Sequence, residues 1–438
     1  MKKYDSYKDS GVKWIGKIPS SWSKSKFKYL TTKNVQYGIN SSSDNYIDDG
    51  IRFIRTTDID DFGNLKPGGV FVSQNEIDES QITDYLDFLI SRSGTLGRTY
   101  LHKFDEQMTY GGYLVRFNFG KLITSKFLQY YCYSTNFWDW INLNTIVSTI
   151  GNVNGQKYNN MDVPFPPLSE QQQIVTFLDT KTTLIDSLIE KTQQKIELLK
   201  EKRTSLINEV VTKGLNPNVE MKDSGVEWIG EIPSGWSKTK MKHVVDIFGR
   251  IGYRGYTTED IVDEGEGVIT ISPSNIFDDK FSTDNSTYLS WEKYHESPEI
   301  QIFTNDIILV KTGSTIGKTS IIPEDVPEMT INPQLVVLKN IKIFPKYLYY
   351  QTVCKIIKES FDIEQTGSST PTISQEKVKD FPILEPPINE QKQIVEYLDE
   401  QTQLIDNTIS IEEKRIELLK EYRQSLISEV VTGKRKVV

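Results

Sequence analysis

The chain has 438 residues, of which 37% are hydrophobic, 11% aromatic and 25% charged. Against a usual domain of roughly 100 to 200 residues, two or more domains with real cores are expected, and neither disorder nor a small disulfide-stapled fold fits. The 51 Lys+Arg against 60 Asp+Glu give a net charge of −9, which argues against a wholly basic surface that traps nucleic acid or anionic lipid by charge alone. Only Cys132 and Cys354 are present, too few for a disulfide framework or a zinc site, so a reducing compartment is inferred. No apolar run is long enough to span a bilayer and none follows the basic N-terminus, so a soluble, cytoplasmic protein is expected.

In chain order, the first recognisable segment is a tag, residues 8–28, KDSGVKWIGKIPSSWSKSKFK. It returns as residues 222–242 with 16 of 21 positions identical. A body follows each tag, then a helical segment: residues 170–212 and 390–432 are identical at 26 of 43 positions. The protein is therefore an internal repeat. The bodies have drifted further and match only in patches, such as Asp87–Gly94 opposite Asp306–Gly313 and Phe53–Ile59 opposite Thr270–Ile276. A preserved frame around divergent bodies suits one scaffold carrying two separate recognition tasks.

Within the bodies, β-rich runs at Ile51–Arg55, Phe88–Ser91, Tyr113–Phe117, Val268–Ile271, Ile307–Val310 and Leu335–Leu338 are broken by Gly, Asn and Asp turns. A helix is expected near Ser125–Ser134 and another near Pro345–Ser360. The fold class is thus mixed α/β (α+β). After each body, Ser169 with Gln172 forms a capping-box pattern and Asn389 stands at the matching cap. Each helix then runs without Pro or Gly to Gly214 or Gly433, a rod of about 65 Å at 1.5 Å per residue. Leu178, Ile185, Leu199 and Leu206 on the first rod, with Leu398, Ile405, Leu419 and Leu426 on the second, lie in an apolar stripe. Antiparallel pairing of the two rods about a pseudo-twofold axis would bury both stripes as a coiled-coil spacer. The expected divisions are 1–168 (tag and first body), 169–214 (rod), 215–388 (tag and second body), 389–433 (rod) and 434–438 (basic tail). Trp14, Trp22, Trp228 and Trp236 of the tags are expected to anchor packed junctions.

Three features could carry chemistry. Gly313–Thr319, GSTIGKT, approaches a P-loop but has one residue too few between its glycines, and the first copy, Gly94–Thr99, is shorter still. A nucleotide-hydrolysing enzyme is therefore only the alternative; a turn after a strand with a cation behind it is preferred, either offering Arg98 and Lys318 to a nucleic-acid phosphate or serving as a structural turn alone. The run Gly249–Tyr256 interleaves Arg250, Tyr253 and Arg254 with glycines, while its first-copy counterpart holds Gln36, Tyr37 and Asn40. Arg suits guanine edges and Gln or Asn suits adenine, so the exchange would change base preference, an ordinary polar loop being the other reading. Arg52, Arg55 and Thr57, with Ser272 and Ser274 in the second body, complete the candidate DNA-binding set. The three histidines occupy unmatched positions and no dinucleotide fingerprint follows a strand, so no catalytic residue, metal site or bound cofactor is expected.

The tag DSGVEWIGEIPSGW, the pattern ending in GSTIGK, Lys379-Asp380-Phe381-Pro382 with Pro386-Pro387, and the NEQKQIVEYLD helix together resemble the specificity subunit of type I restriction-modification systems. The resemblance covers nearly the whole chain. It implies two target-recognition domains, each reading half of a split site in double-stranded DNA, held apart by antiparallel helices. It also implies docking of two methyltransferase subunits and of restriction/translocase subunits, with S-adenosylmethionine, ATP and Mg on those partners and no chemistry in this chain. A coiled-coil adaptor without DNA readout is the remaining alternative. The first body departs from the pattern at Leu96-Gly97-Arg98 and at Gly151–Gly155, which stand where the second has GSTIGK and residues 366–372. Residues 1–33 carry nine Lys+Arg against two acids, whereas both bodies are acidic, so the chain alone is expected to hold DNA weakly.

Overall fold

The computed structural model describes residues 2–146, 151–250, 252, 255–277, 279–284, 286–364 and 371–437. Two compact units emerge, residues 1–193 with 413–438 and residues 194–412. The division cuts both long helices, so each unit owns the start of one and the end of the other.

Unit 1 opens with the tag hairpin, Tyr7–Asp9 against Lys17–Pro19, and a ladder joining Ser23–Lys26 to Asp162–Phe165. Its main sheet is antiparallel, in the order Gln36–Tyr37, Leu114–Phe117, Phe88–Ser91, Thr99–Leu101. The central strands Phe88–Ser91 and Leu114–Phe117 are buried at every position, and they are apolar throughout except at Ser91 and Arg116. A second sheet pairs Ile51–Ile54 with Val70–Val72 and, in parallel, with Met108–Tyr110. Unit 2 repeats the main sheet strand for strand: Asp246–Gly249, Leu335–Lys339, Ile307–Val310, Thr319–Ile321. Its second sheet has five strands where unit 1 has three. Each expected β-rich run forms a strand. The expected single helices are each two, Ser125–Tyr131 with Thr135–Asn144 and Pro345–Val353 with Lys355–Glu364, because Ser134 caps a new start and the backbone at Cys354 is extended.

The long helices span Leu168–Lys213 and Ile388–Val431. Each starts one residue before the expected cap, because the carbonyls of Pro167 and Pro387 already accept the first intrahelical bonds. Gly214 and Gly433 end them at φ of 74° and 73°, as the left-handed stop requires. In unit 2, Lys195 meets Glu412 at 2.5 Å and Arg203 meets Asp406 at 3.0 Å. Residue numbers rise on one segment as they fall on the other, so the segments run antiparallel; in unit 1, Arg423 pairs with Asp186 at 2.8 Å. Leu178, Ile185, Leu398, Ile405 and Leu426 are buried, whereas Leu199, Leu206 and Leu419 are half-buried.

The helix ends also seal the tags. In unit 1 a Cβ at Gly433 would stand 2.4 Å from Pro19 and 3.2 Å from Trp22, and in unit 2 a Cβ at Gly214 would stand 3.2 Å from Trp236. Trp22 and Trp236 are wholly buried there; Trp14 and Trp228 are half-buried, and Trp228 Nε1 donates to the carbonyl of Ile356 at 3.3 Å. Both cysteines are buried and unpaired.

Candidate nucleic-acid interface

Two hairpin loops place the candidates. Residues 92–98 join two neighbouring strands of the unit 1 main sheet, and residues 311–318 do the same in unit 2. GSTIGK is therefore a turn between antiparallel strands, with no helix N-terminus behind it to hold phosphates, and the P-loop alternative loses its structural basis. Gly313 and Gly317 take φ of 107° and 84° to make the turn, and Gly313 N donates to the carbonyl of Pro371 at 2.9 Å.

Beside each loop, the same end of the main sheet gathers four more segments. In unit 1, Arg92 N donates to Tyr113 O at 2.8 Å and Val153 N to Arg92 O at 2.9 Å; in unit 2, Lys311 N donates to Gln334 O at 2.8 Å and Ile373 N to Lys311 O at 2.9 Å. The chain leaves Gln36–Tyr37 and Asp246–Gly249 at this same rim. Gly111 N bonds Ile54 O and Asn332 N bonds Ile271 O, both at 2.8 Å, which brings the turns after those strands alongside. Each rim thus collects a cation, a polar turn and backbone edges on a rigid sheet.

The chemistry at the two rims differs. In unit 1 the Arg92 guanidinium lies 5.1 Å from the centre of the Tyr37 ring and donates to Gly112 O at 3.2 Å, and Tyr113 is exposed. In unit 2, Lys311 is half-buried and, among the described residues, without a side-chain partner; burial pulls its ammonium below the ordinary lysine value. Lys318 is likewise unpartnered among the described residues. Thr312 and Thr372 share a hydroxyl–hydroxyl bond of 2.8 Å, and Asn332 Nδ2 donates to Gln334 Oε1 at 3.2 Å.

Several sequence candidates are occupied by the protein itself. Gln36 Oε1 accepts from Arg116, which is buried with Asp87 in a 3.1 Å ion pair. Desolvation pushes the Asp87 carboxyl up to about 6, against the Asp84 N–H and the Arg116 charge. Arg250 is buried as well, donating to Ile331 O and Thr330 Oγ1, both at 3.1 Å. The strand register places Gln36 opposite Arg116 and Phe248 opposite Val337, so Gln36 corresponds to Phe248 and not to Arg250. The exchange of Gln for Arg expected from the sequence does not exist, and neither side chain is a free base reader. Arg55 is held by Asp58 at 2.7 Å, Arg98 by Asp61 at 2.6 Å, and Ser272 by Asn275 and Ser274. Arg52 donates to Lys66 O at 2.9 Å. Asn40, Thr57 and Ser274 are exposed at the rims, while Tyr253 and Arg254 lie outside the described residues. The rims also hold Arg92, Lys311, Tyr113 and Gln334, which the sequence reading did not single out. The signal was available for the first two: they are the cations that match when the two bodies are aligned.

The family model for the type I restriction modification DNA specificity domain matches residues 19–198 and 233–421. The chain belongs to that family. The chain is 28% identical over 293 residues to the type I restriction enzyme MjaVIII specificity subunit of Methanocaldococcus jannaschii, covering 66% of this chain and 65% of the relative. With the EcoKI specificity subunit of Escherichia coli K12 it shares 23% identity, over 56% of this chain and 50% of that one. These matches span between half and two thirds of the relatives' lengths. Among solved structures, a chain from work on complex assembly and conformational transition of the type I R-M system superposes with a TM-score of 0.70 at 15% identity, covering 94% of this chain and 98% of that one. The HsdS subunit of Thermoanaerobacter tengcongensis gives 0.52 at 15% identity, covering 95% and 98%. The fold is thus that of HsdS subunits.

Proposed function

We propose that this chain is the DNA-reading subunit of a type I restriction-modification complex, each unit reading one half of a split double-stranded site from its rim. The observation that carries the reading is the pair of rims: identical strand order and register beneath, a cation at the same position, and different neighbours, Tyr37 and Tyr113 against Gly249 and Gln334. A common frame with exchanged edge chemistry is what reading two different half-sites requires. Two methyltransferase subunits and the restriction/translocase subunits would dock on the tags and long helices, bringing S-adenosylmethionine, ATP and Mg with their own catalytic groups, in the cytoplasm. Because both bodies are acidic, those partners would supply much of the phosphate contact.

The test is an exchange of residues 34–160 for a different body, with methylated adenines mapped across the genome in the presence of the methyltransferase subunit. One half of the methylated sequence should change and the other should stay; an unaltered site would end this reading. No separate observation favours nucleotide hydrolysis or a plain adaptor.

A further inference from the structure

Each body is tied to its long helices near one helix start, where Tyr130 Oη donates to Asp179 at 2.5 Å and Tyr350 Oη to Asp399 at 2.7 Å. A second tie lies further along, made by a turn that leaves the second sheet. In unit 1 it is Phe62, whose ring centre is 4.3 Å from the guanidinium of Arg423, the partner of Asp186. In unit 2 it is Lys280, 3.1 Å from Asp406, the partner of Arg203. Asp186 and Asp406 are matched positions of the repeat, as are Arg203 and Arg423, each pair 220 residues apart.

Both turns are themselves held. Gly63, at φ 76°, sits so close that a Cβ would stand 2.3 Å from Tyr133 Oη and 2.7 Å from Thr99 O. Asp279 takes φ 59° and its carbonyl accepts from Tyr349 Oη at 2.9 Å. Two dissimilar side chains thus reach matched Arg–Asp pairs, an aromatic ring on the cation in one unit and an ammonium on the carboxylate in the other. The helical part of each body is bonded to the long helices as well, through Gln424 to the Tyr133 carbonyl and Thr135 with Ser428 in unit 1 and through Lys355 N to Asn208 Oδ1 in unit 2. Phe62 and Lys280 add the tie from the turn beyond the second sheet, and each further point narrows the angles the body can take.

We propose that Phe62 on Arg423 and Lys280 on Asp406 are positioning residues that lock the angle of each recognition body on its helix pair, and so set how strictly the gap between half-sites is read. The inference rests on the DNA-reading function proposed above. Neither side chain belongs to a rim, and both are partly exposed, so each can be changed without opening a core.

The full-length chain, co-expressed with its methyltransferase subunit, would be presented with plasmids carrying the mapped half-sites at a series of gap lengths, and methylation would be read base by base. The unaltered protein should methylate one gap. F62A and K280E should each raise methylation at neighbouring gaps, relative to the native gap, by about threefold or more, with melting temperature unchanged. F62Y and K280R should keep the original ratio. If F62A and K280E also keep it, the locking role is wrong while the DNA-reading function stands. If the unaltered protein methylates no gap, the DNA-reading function itself fails and the inference fails with it.

Discussion

The two units solve one structural problem with different chemistry beneath the same strands. In unit 1, Arg116 crosses the buried middle of the main sheet and is satisfied by Asp87, Gln36 and the carbonyl of Ser80. In unit 2 the position facing the same strand is Val337, wholly buried among apolar neighbours, and Asp306 is left to Lys339 at 3.2 Å nearer the surface. A buried arginine and a buried valine therefore support equivalent registers. What the frame demands is volume and satisfied polar groups, not a particular residue. The rims above show the same freedom, and on the function proposed for them their edge chemistry would decide which half-site is bound.

The largest test of this contrast is Arg116→Ala. It strands the Asp87 carboxylate in the core and should cost about 3–5 kcal/mol. Denaturant unfolding followed by hydrogen exchange should place the loss in the main sheet of unit 1, with the Ile307–Val310 strand of unit 2 still protected; equal loss in both would show that the units do not fold separately. Next in size, Gln334→Ala should reduce discrimination at one base pair of the second half-site by about 1–3 kcal/mol and leave the first half-site untouched. Tyr113→Ala should do the reverse, and competition binding of the assembled complex to single-base variants distinguishes them. An effect of either substitution on both half-sites would break the assignment of one rim to each. The smallest expected effect is that of Lys311→Ala, which should weaken all sequences alike and lower the salt dependence of binding by about one counterion. A sequence-specific loss would mean that Lys311 reads a base edge instead of a phosphate.

Much of the architecture was legible because it depends on local or repeated signals. The long helices announce themselves through uninterrupted 3.6-residue patterning and the glycines at 214 and 433, and comparing the chain with itself exposes the repeat. Site residues were less legible. Gln36 and Arg250 look alike as polar, rim-adjacent side chains in one-dimensional alignment, yet one accepts from a buried arginine and the other is a buried arginine. A shift of two positions in that alignment, invisible in divergent bodies, moved Gln36 from Arg250 to Phe248.

The sequence by itself determined the duplication, the two long helices, the strand segments, the family resemblance and a net charge of −9, because each follows from composition, period or internal identity. Only the tertiary structure decided which cations are spent inside the protein and which are left at the rims. That depends on strand register and on partners such as Arg116 and Gln36, 80 residues apart. Hydrogen-bond satisfaction is a property of neighbours in space, and a chain read in order does not contain it.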